Sequence, residues 1–371
     1  MVSPDRNRRV EEAGENRRLL IYHPAGVFFA LAAAIAVTLP WLWLLPLEDP
    51  WLAHVRLGLF GFGGIAISGY IMTAQKAWTG RAFPVPALLA GGLALGGRLA
   101  SLGFPAHRWP ITLFSLPVAI MVAWPVLRAR RWDKLPLATV PLVLVAAEIL
   151  LPDLPELAGF LPVALAVLIL AVGGRLVRSF VMEGHRRRGL DVRQGPPLWQ
   201  GIVPLVVGLL CDDVIGMLAL FAAMAWVAAR SLGGMRLGEA NRMLCLGYAG
   251  LVPGILAIAA ARAGLVPQLV QVHALTMATM GPMILAIAAR ATMRRSPEGE
   301  LLPRRRHWSA LWLMLGAAAL RCLAALPGQM PMALLLAGIA WSTAWMLFLS
   351  VQIQALAMPA PFPVLSARRL S

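Results

Sequence analysis

The sequence predicts an all-α fold, a polytopic membrane bundle of about twelve transmembrane helices with both termini in the cytoplasm. Of its 371 residues, 59% are hydrophobic and only 13% are charged, whereas a soluble domain is about one quarter charged. The mean hydropathy is +0.74, and apolar runs recur that are long enough to cross about 30 Å of hydrocarbon as helices. With only three cysteines, these values exclude a soluble globule, a disordered chain and a small disulfide-linked scaffold.

The apolar segments define the predicted organisation. A cytoplasmic N-terminal segment (1–24) precedes the transmembrane bundle (25–354), and a cytoplasmic tail (355–371) follows it. The predicted spans lie at about 25–46, 56–75, 84–101, 110–127, 135–151, 158–177, 197–211, 213–230, 243–262, 268–290, 308–325 and 331–354. Only Cys211, Asp212 and Asp213 separate the seventh and eighth segments, so merging these two would leave eleven spans.

The distribution of basic residues tests this count. With a cytoplasmic N-terminus, 28 of the 33 Lys and Arg residues fall on the cytoplasmic side and five fall on the other side. Such an excess marks cytoplasmic loops, and it would collapse with eleven spans because every later loop would change sides. The net charge of +16 therefore reflects membrane topology, and we expect the lipid bilayer, not nucleic acid, to be the partner.

Small residues within the predicted spans indicate where helices approach closely. Gly92 and Gly96, and likewise Gly250 and Gly254, are four residues apart, the spacing that places small side chains on one helix face. Such pairs are common in membrane helices, so they predict packing and carry no information about function.

Ionisable side chains inside a membrane span are costly and are therefore candidates for function. His54 opens the second segment from the outer side, and His273 lies about one turn inside the tenth segment from the same side. Arg56, Arg98 and Arg321 lie at the outer ends of the second, third and eleventh segments. Neutral imidazole binds haem iron or copper, and a guanidinium group suits the carboxylates of a haem or of an anionic solute.

Structural roles for these residues remain open alternatives. His273 could hydrogen-bond a neighbouring helix, and the arginines could extend to the membrane interface. Glu148, near the outer end of the fifth segment, could carry a proton, pair with Arg98 or reach the interface. The other four histidines lie in or beside loops and are expected to be solvated or interfacial: His23, His107, His185 and His307.

Two stretches of the chain resemble the NnrS family of membrane proteins. Residues 54–81 read HVRLGLFGFGGIAISGYIMTAQKAWTGR, and the family shows WHxHEMLFGF, then GFLLTA, then WTG. His54 falls on the first histidine of that motif without a gap. Residues 273–290 read HALTMATMGPMILAIAAR and resemble the family's histidine-led tenth span, while Gly174-Arg175 and Arg321 match positions in the sixth and eleventh spans. The twelve-span layout extends the resemblance over the whole chain.

The departures from the family motif concern metal ligands. Arg56 replaces the second histidine, Leu57 replaces the glutamate and Gly58 replaces the methionine. After Arg290 the family continues to GHTGR, which this chain lacks. The resemblance implies a protein of the bacterial inner membrane that contains haem and copper and is linked to nitric oxide and denitrification. With His54 and His273 retained, a single haem is a better fit than haem plus copper.

Three functions are therefore compared. The first is a haem protein in which His54 and His273 ligate the iron, in which Arg98, Arg321 and Arg56 hold the propionates, and which responds to nitric oxide. The second is a cofactor-free transporter of an anionic solute that the arginines recognise. The third is a structural or assembly protein that has lost the metal site.

Overall fold

Helices account for nearly all regular structure in the chain. A computed structural model describes residues 19–81, 85–190, 196–297, 299–328, 330–361 and 364–365. The helical fraction is 77%, and the described strands are two residues long, β1 (Arg294–Arg295) and β2 (Leu301–Leu302), which pair antiparallel. The predicted all-α class is confirmed. Most of the predicted N-terminal segment (1–24) and of the predicted tail (355–371) lies outside the described residues.

The chain divides into two compact units. Unit 1 comprises residues 1–158 and 345–368, and unit 2 comprises residues 159–344 and 369–371. The helices that lie mainly in unit 1 are α1 (Pro24–Leu44), α2 (Pro50–Thr79), α3 (Ala87–Gly103), α4 (Ile111–Arg128) and α5 (Leu135–Leu150). Those of unit 2 are α6 (Leu157–Arg187), α7 (Trp199–Leu210), α8 (Val214–Leu232), α9 (Glu239–Arg262), α10 (Gln268–Ala289) and α11 (Arg305–Leu323). The last helix, α12 (Pro331–Leu356), is divided between the units after residue 344.

Each of the described helices overlaps one predicted apolar segment, in the same order. Eight of them are long and apolar enough to cross a membrane: α1, α2, α4, α6, α8, α9, α10 and α12. The other four are short, as α3, α5 and α7 are, or carry arginines near both ends, as α11 does. The multi-pass membrane architecture thus stands with eight candidate spans among the described residues, and the predicted twelve crossings remain a prediction.

The helix boundaries follow from local chemistry. Helix α7 ends at Leu210, and Asp213 caps α8 because its Oδ1 accepts the backbone N–H of Gly216 at 3.0 Å. The seventh and eighth predicted segments are therefore two helices and not one. Proline occupies the first turn of α1, α2 and α12, where its missing N–H would have no helical partner in any case.

In unit 1, α1 packs against α2 and α3, and α4 packs against α2, α3 and α5. The interior is apolar, with fully buried Phe28, Phe62, Trp345 and Phe348. Helix α12 returns to this unit, where Gln352 Nε2 donates to the carbonyl oxygens of Ala25 and Gly26 at 3.0 and 3.1 Å. Leu19 and Pro359 form a β-bridge, so the two described ends of the chain lie beside each other.

In unit 2, α7 and α8 form a helical hairpin, α9 packs against α8 and α10, and α10 packs against α11. Glycine permits the closest approach between α9 and α10. A Cβ on Gly250 would lie 2.0 Å from the carbonyl oxygen of Ala278, and one on Gly254 would lie 2.4 Å from Thr279 Oγ1. This glycine pair has the packing role predicted for it, whereas a Cβ on Gly92 would meet nothing within 4 Å.

Three helices contain a π-helical stretch. These stretches are Arg56–Gly64 in α2, Ile111–Ser115 in α4 and Ala274–Met280 in α10. A π-helix widens the turn and is uncommon, and it occurs frequently at functional sites. Each of the three contains or directly follows residues whose polar side chains lie inside the protein.

Large apolar side chains cover much of the outer surface. Leu44, Leu88, Leu99, Leu218 and Phe221 are all exposed. Apolar surface of this kind and extent is costly in water but suits contact with lipid chains. The described surface therefore agrees with the membrane class that the composition predicts.

Candidate functional site

His54 is held by the first turns of α2. Asp49 caps the helix by accepting the N–H of Leu52 at 2.8 Å, and Pro50 occupies the first turn. The half-buried imidazole of His54 lies beside the Trp43 ring, with 5.5 Å between centroids, and its Nδ1 is 3.2 Å from the carbonyl oxygen of Leu39. A carbonyl oxygen can only accept, so Nδ1 carries a proton, and in the neutral form of the ring Nε2 then has the lone pair.

His273 has the same arrangement in unit 2. Its Nδ1 lies 2.9 Å from the carbonyl oxygen of Leu269 in α10, which again places the lone pair on Nε2. The predicted alternative of a hydrogen bond to a neighbouring helix does not apply to this bond, because Leu269 is in the same helix. Metal-binding histidines commonly donate the other ring N–H in this way, which fixes the tautomer and the ring orientation.

Both histidines immediately precede π-helical stretches. His54 lies two residues before Arg56–Gly64, and His273 lies one residue before Ala274–Met280. Beside His54, one turn further along α2, a Cβ on Gly58 would meet nothing within 4 Å. Open space there leaves room for a group to approach the same helix face.

Arg98 is paired within unit 1. Its Nη2 donates to Glu148 Oε2 at 2.8 Å, its Nη1 donates to Glu148 Oε1, and Nη2 also donates to Ser115 Oγ. Arg98 is 4% exposed and Glu148 is 1% exposed. Of the three predicted roles for Glu148, pairing with Arg98 is observed, and both side chains are buried within the protein.

A small cavity with a mostly apolar lining adjoins this ion pair. Its volume is about 40 Å³, and its walls include Arg98, Glu148, Ser115, Ser68 and the π-helical Phe60. One ordered water requires roughly 10–15 Å³, so the cavity can hold a few small polar molecules. Buried charged groups need such partners in a membrane interior, where no bulk water reaches them.

Arg56 is also buried within the protein, at 2% exposure. Its Nη1 donates to the carbonyl oxygen of Pro105 at 2.7 Å. Its Nε and Nη2 are buried and have no hydrogen-bond partner among the described residues. Arg56 interacts electrostatically with Glu148, Arg98 and the half-buried Asp49, so Arg56, Arg98 and Glu148 form one buried cluster in unit 1 with Asp49 nearby.

Arg321 is half-buried near the end of α11 in unit 2. Its neighbour Cys322 lies 3.9 Å from the carbonyl oxygen of Val270 in α10, three residues before His273. The structure thus brings the helix ends that carry Arg321 and His273 together in unit 2. It brings Arg56 and Arg98 together in unit 1, the unit that also contains His54.

Some polar residues of the interior were not anticipated. In unit 2, Arg230 donates from Nε and Nη2 to the carbonyl oxygen of Gly174 and from Nη1 to that of Pro196. Arg290 is 3% exposed and stacks on the Phe180 ring at 3.8 Å. Both lie at the ends of apolar segments, where the sequence pattern predicts loop residues and cannot distinguish a buried arginine from a solvated one.

The expectation that His307 is solvated or interfacial is wrong. It is 0% exposed, its Nδ1 accepts the Arg304 N–H at 3.2 Å, and its Nε2 lies 3.4 Å from Thr292 Oγ1. Burial lowers the pKa of His307 to about 4, and the positive charge of Arg304 acts in the same direction. The other three histidines agree with the expectation, because His23 and His185 are half-buried and His107 is exposed.

The potential metal ligands were compared with the needs of haem and of copper. No group of three or more His, Cys, Asp or Glu side chains that could hold a metal ion occurs in the described part of the chain. A copper site of protein ligands is therefore not a fit for these residues. Haem iron takes one or two axial ligands, among which histidine nitrogen is common, and Nε2 of a neutral His54 or His273 ring has the chemistry of such a ligand.

These features define a class of protein: a multi-pass helical membrane protein with half-buried histidines and buried charged groups in its helices. The chain belongs to the NnrS family, since the family model described as NnrS protein matches residues 23–359. This match spans all the described helices and confirms the resemblance of the two histidine-led stretches. No curated protein matches the chain.

Proposed function

We propose that this NnrS-family membrane protein binds haem, with His54 in unit 1 and His273 in unit 2 as the candidate ligands, and acts in the response to nitric oxide. The observation that carries the proposal is the shared hydrogen bonding of the two imidazoles. Each Nδ1–H donates to a backbone carbonyl oxygen, so in the neutral ring Nε2 carries the lone pair. Each histidine also lies one or two residues before one of the three described π-helical stretches.

The arginines support the part of this proposal that concerns binding of the haem propionates. Haem propionates require charged or polar donors, and bidentate guanidinium–carboxylate pairs are strong. Arg56 has two nitrogens without a partner among the described residues, and Arg321 is on the helix end next to that of His273. Arg98 donates to Glu148 and Ser115, so its proposed contribution to the propionates is to the local positive charge.

Bound haem would supply an iron centre for nitric oxide or a related small ligand. The protein's own contribution would be to hold that centre in a largely apolar, membrane-embedded site, with Gly58 leaving space beside the His54 face. The proposed location is the bacterial inner membrane with both termini in the cytoplasm. The basic-residue asymmetry and the bridge between Leu19 and Pro359 favour termini on the same side.

The test is the absorption spectrum and haem content of the purified protein after haem-replete expression. We expect a Soret band that is lost or shifted in His54→Ala and in His273→Ala, and that shifts when nitric oxide is added to the wild type. His185→Ala is the matched control, because His185 Nδ1 also lies 2.9 Å from a carbonyl oxygen four residues earlier, that of Val181. It lies in unit 2 but belongs to no proposed site.

Two outcomes would contradict the proposal. The absence of a Soret band in haem-replete wild type would show that the protein does not bind haem. Equal haem content in all three variants would show that His54 and His273 are not the ligands. Growth of a deletion strain under nitrosative stress, complemented by wild type but not by the double histidine variant, would separate the haem role from an assembly role that needs no metal.

A further inference from the structure

The interior of unit 1 contains three buried charged side chains among its described residues. They are Arg56, Arg98 and Glu148, at 2%, 4% and 1% exposure. The half-buried Asp49, which caps α2, is a second negative charge that acts on Arg56. A buried guanidinium group needs hydrogen-bond partners as well as nearby charge, because it does not lose its proton in proteins. Neither Glu148 nor Asp49 hydrogen-bonds to Nε or Nη2 of Arg56.

Glu148 acts on Arg56 electrostatically but does not hydrogen-bond to it. Both of its carboxylate oxygens accept from Arg98, and Arg98 also donates to Ser115. Arg56 has a single hydrogen bond among the described residues, from Nη1 to the Pro105 carbonyl oxygen at 2.7 Å. Arg56 is therefore the group that needs the partner.

The two nitrogens of Arg56 without a described partner are Nε and Nη2. These atoms share one edge of the guanidinium plane, and their N–H bonds are parallel. That edge matches a pair of oxygens on a planar anion, as in bidentate carboxylate binding. A spherical anion or a single carbonyl oxygen would satisfy it less well.

Arg230 in unit 2 shows how a purely structural buried arginine is accommodated in this chain. It is 8% exposed, and all three of its nitrogens donate to backbone carbonyl oxygens. Trp226 stacks on it, with the guanidinium carbon 4.8 Å from the ring centroid. Arg56 has no comparable set of hydrogen bonds among the described residues, so a structural role leaves its second edge unexplained.

A small cavity lies beside the π-helical stretch that Arg56 begins, although Arg56 itself is not among its lining residues. Arg56 begins the π-helical stretch Arg56–Gly64, and a Cβ on Gly61 in that stretch would lie 3.4 Å from Arg98 Cδ. Phe60 and Gly64, one and two turns after Arg56, line the cavity of about 40 Å³ beside Arg98 and Glu148. A volume several times that needed for one water, which is roughly 10–15 Å³, suffices for an oxyanion of three or four heavy atoms.

We propose that Arg56 binds a planar oxyanion through Nε–H and Nη2–H, with Arg98 adding positive charge, inside unit 1. The ligand class is a carboxylate or a small oxyanion of the same shape, such as nitrite. The carboxylate could belong to a bound cofactor or the oxyanion could be free in solution, and the chemistry at Arg56 is the same for both. This site does not depend on haem being present.

The test measures thermal stability of the haem-free full-length protein in detergent, prepared as the His54→Ala/His273→Ala variant. Sodium nitrite replaces sodium chloride at constant ionic strength, and a parallel series uses sodium acetate. A ligand that binds only the folded state raises Tm in a saturable way. We expect such a rise with nitrite or acetate relative to chloride.

Variants of Arg56 test the edge-on contact. In Arg56→Gln the anion concentration for half-maximal stabilisation should increase by about tenfold or more, as loss of charge-assisted hydrogen bonds implies. Arg56→Lys keeps the charge but lacks the two-nitrogen edge, so it should also lose most of the response while remaining folded. Arg108→Gln is the control, because Arg108 is exposed and pairs with Asp153 away from the cluster.

The haem-loaded wild type distinguishes the two sources. If haem-free protein responds and haem-loaded protein does not, a cofactor carboxylate occupies the Arg56 edge. If both respond, the site takes a free oxyanion. The proposal is overturned if nitrite and acetate have no more effect than chloride on haem-free protein, or if Arg56→Gln and Arg56→Lys respond as Arg108→Gln does.

Discussion

Replacing Glu148 by Gln should be one of the most destabilising conservative substitutions in unit 1. The change keeps the size and shape of the side chain but removes the only buried negative charge among the described residues of that unit. Arg98 then lacks its charge partner and keeps only neutral acceptors, Ser115 Oγ and the amide oxygen of the new side chain. Breaking a buried ion pair by removing one partner costs about 3–5 kcal/mol.

The structure also predicts the size of related changes. Ser115→Ala removes one hydrogen bond to a charged group and should cost about 1.5–3 kcal/mol. Replacing both Arg98 and Glu148 by Leu removes the pair without leaving an isolated charge, so it should cost less than Glu148→Gln alone. Arg108→Gln, in an exposed pair whose side chains are 51% and 55% exposed, should change stability by about 0–1 kcal/mol.

The assay is reversible unfolding of the detergent-solubilised protein by SDS titration, followed by circular dichroism, with thermal melts as a second measure. A double-mutant cycle of Arg98 and Glu148 isolates their interaction. The reasoning is refuted if Glu148→Gln costs no more than Arg108→Gln. It is also refuted if the double Leu variant is destabilised by the sum of the two single Leu variants.

Two further predictions concern unit 2. Because the folded-state pKa of His307 is lowered to about 4 from 6.5, the unfolded state binds the proton first as pH falls. The free energy of unfolding should therefore be constant above pH 6.5 and decrease towards pH 4, by roughly 3 kcal/mol in total. Thermal melts of wild type and His307→Gln should diverge over this pH range. Parallel curves for the two proteins would contradict the prediction. Gly250→Ala forces a Cβ against the Ala278 carbonyl oxygen and should cost about 1–3 kcal/mol or more of stability. Gly92→Ala should be neutral or slightly stabilising in the same melts. Equal effects of the two substitutions would rule out a close helix approach at Gly250.

The helical segments could be predicted because each depends on local sequence. An apolar run of sufficient length forms a helix in lipid, since every backbone group must be paired within it. The break between α7 and α8 could also be predicted, because aspartate is a strong helix N-cap and Asp213 occupies that position in α8. The number of membrane crossings depends less on local sequence. Helices α3, α5 and α7 are short, so their position in the bilayer depends on their neighbours.

The polar interior could be predicted only in part. Sequence order placed Arg98 and Glu148 near one membrane level, but their pairing over 50 residues depends on how α3 and α5 are rotated about their axes. Ser115 gave no signal, because a serine within a span commonly bonds to its own helix. His307 was misjudged because it follows three arginines, while its burial arises from packing against Thr292.

By itself, the sequence determined the all-α membrane class, the order of the helices and the family, because these follow from apolar length, charge distribution and motifs within single segments. Only the tertiary structure decided that Glu148 neutralises Arg98, that Arg56 is buried with one edge free of described partners, and that His307 lies in the interior. The physical reason is that burial and pairing of charges depend on which faces of different helices meet. A pattern along one helix limits these contacts but does not specify them.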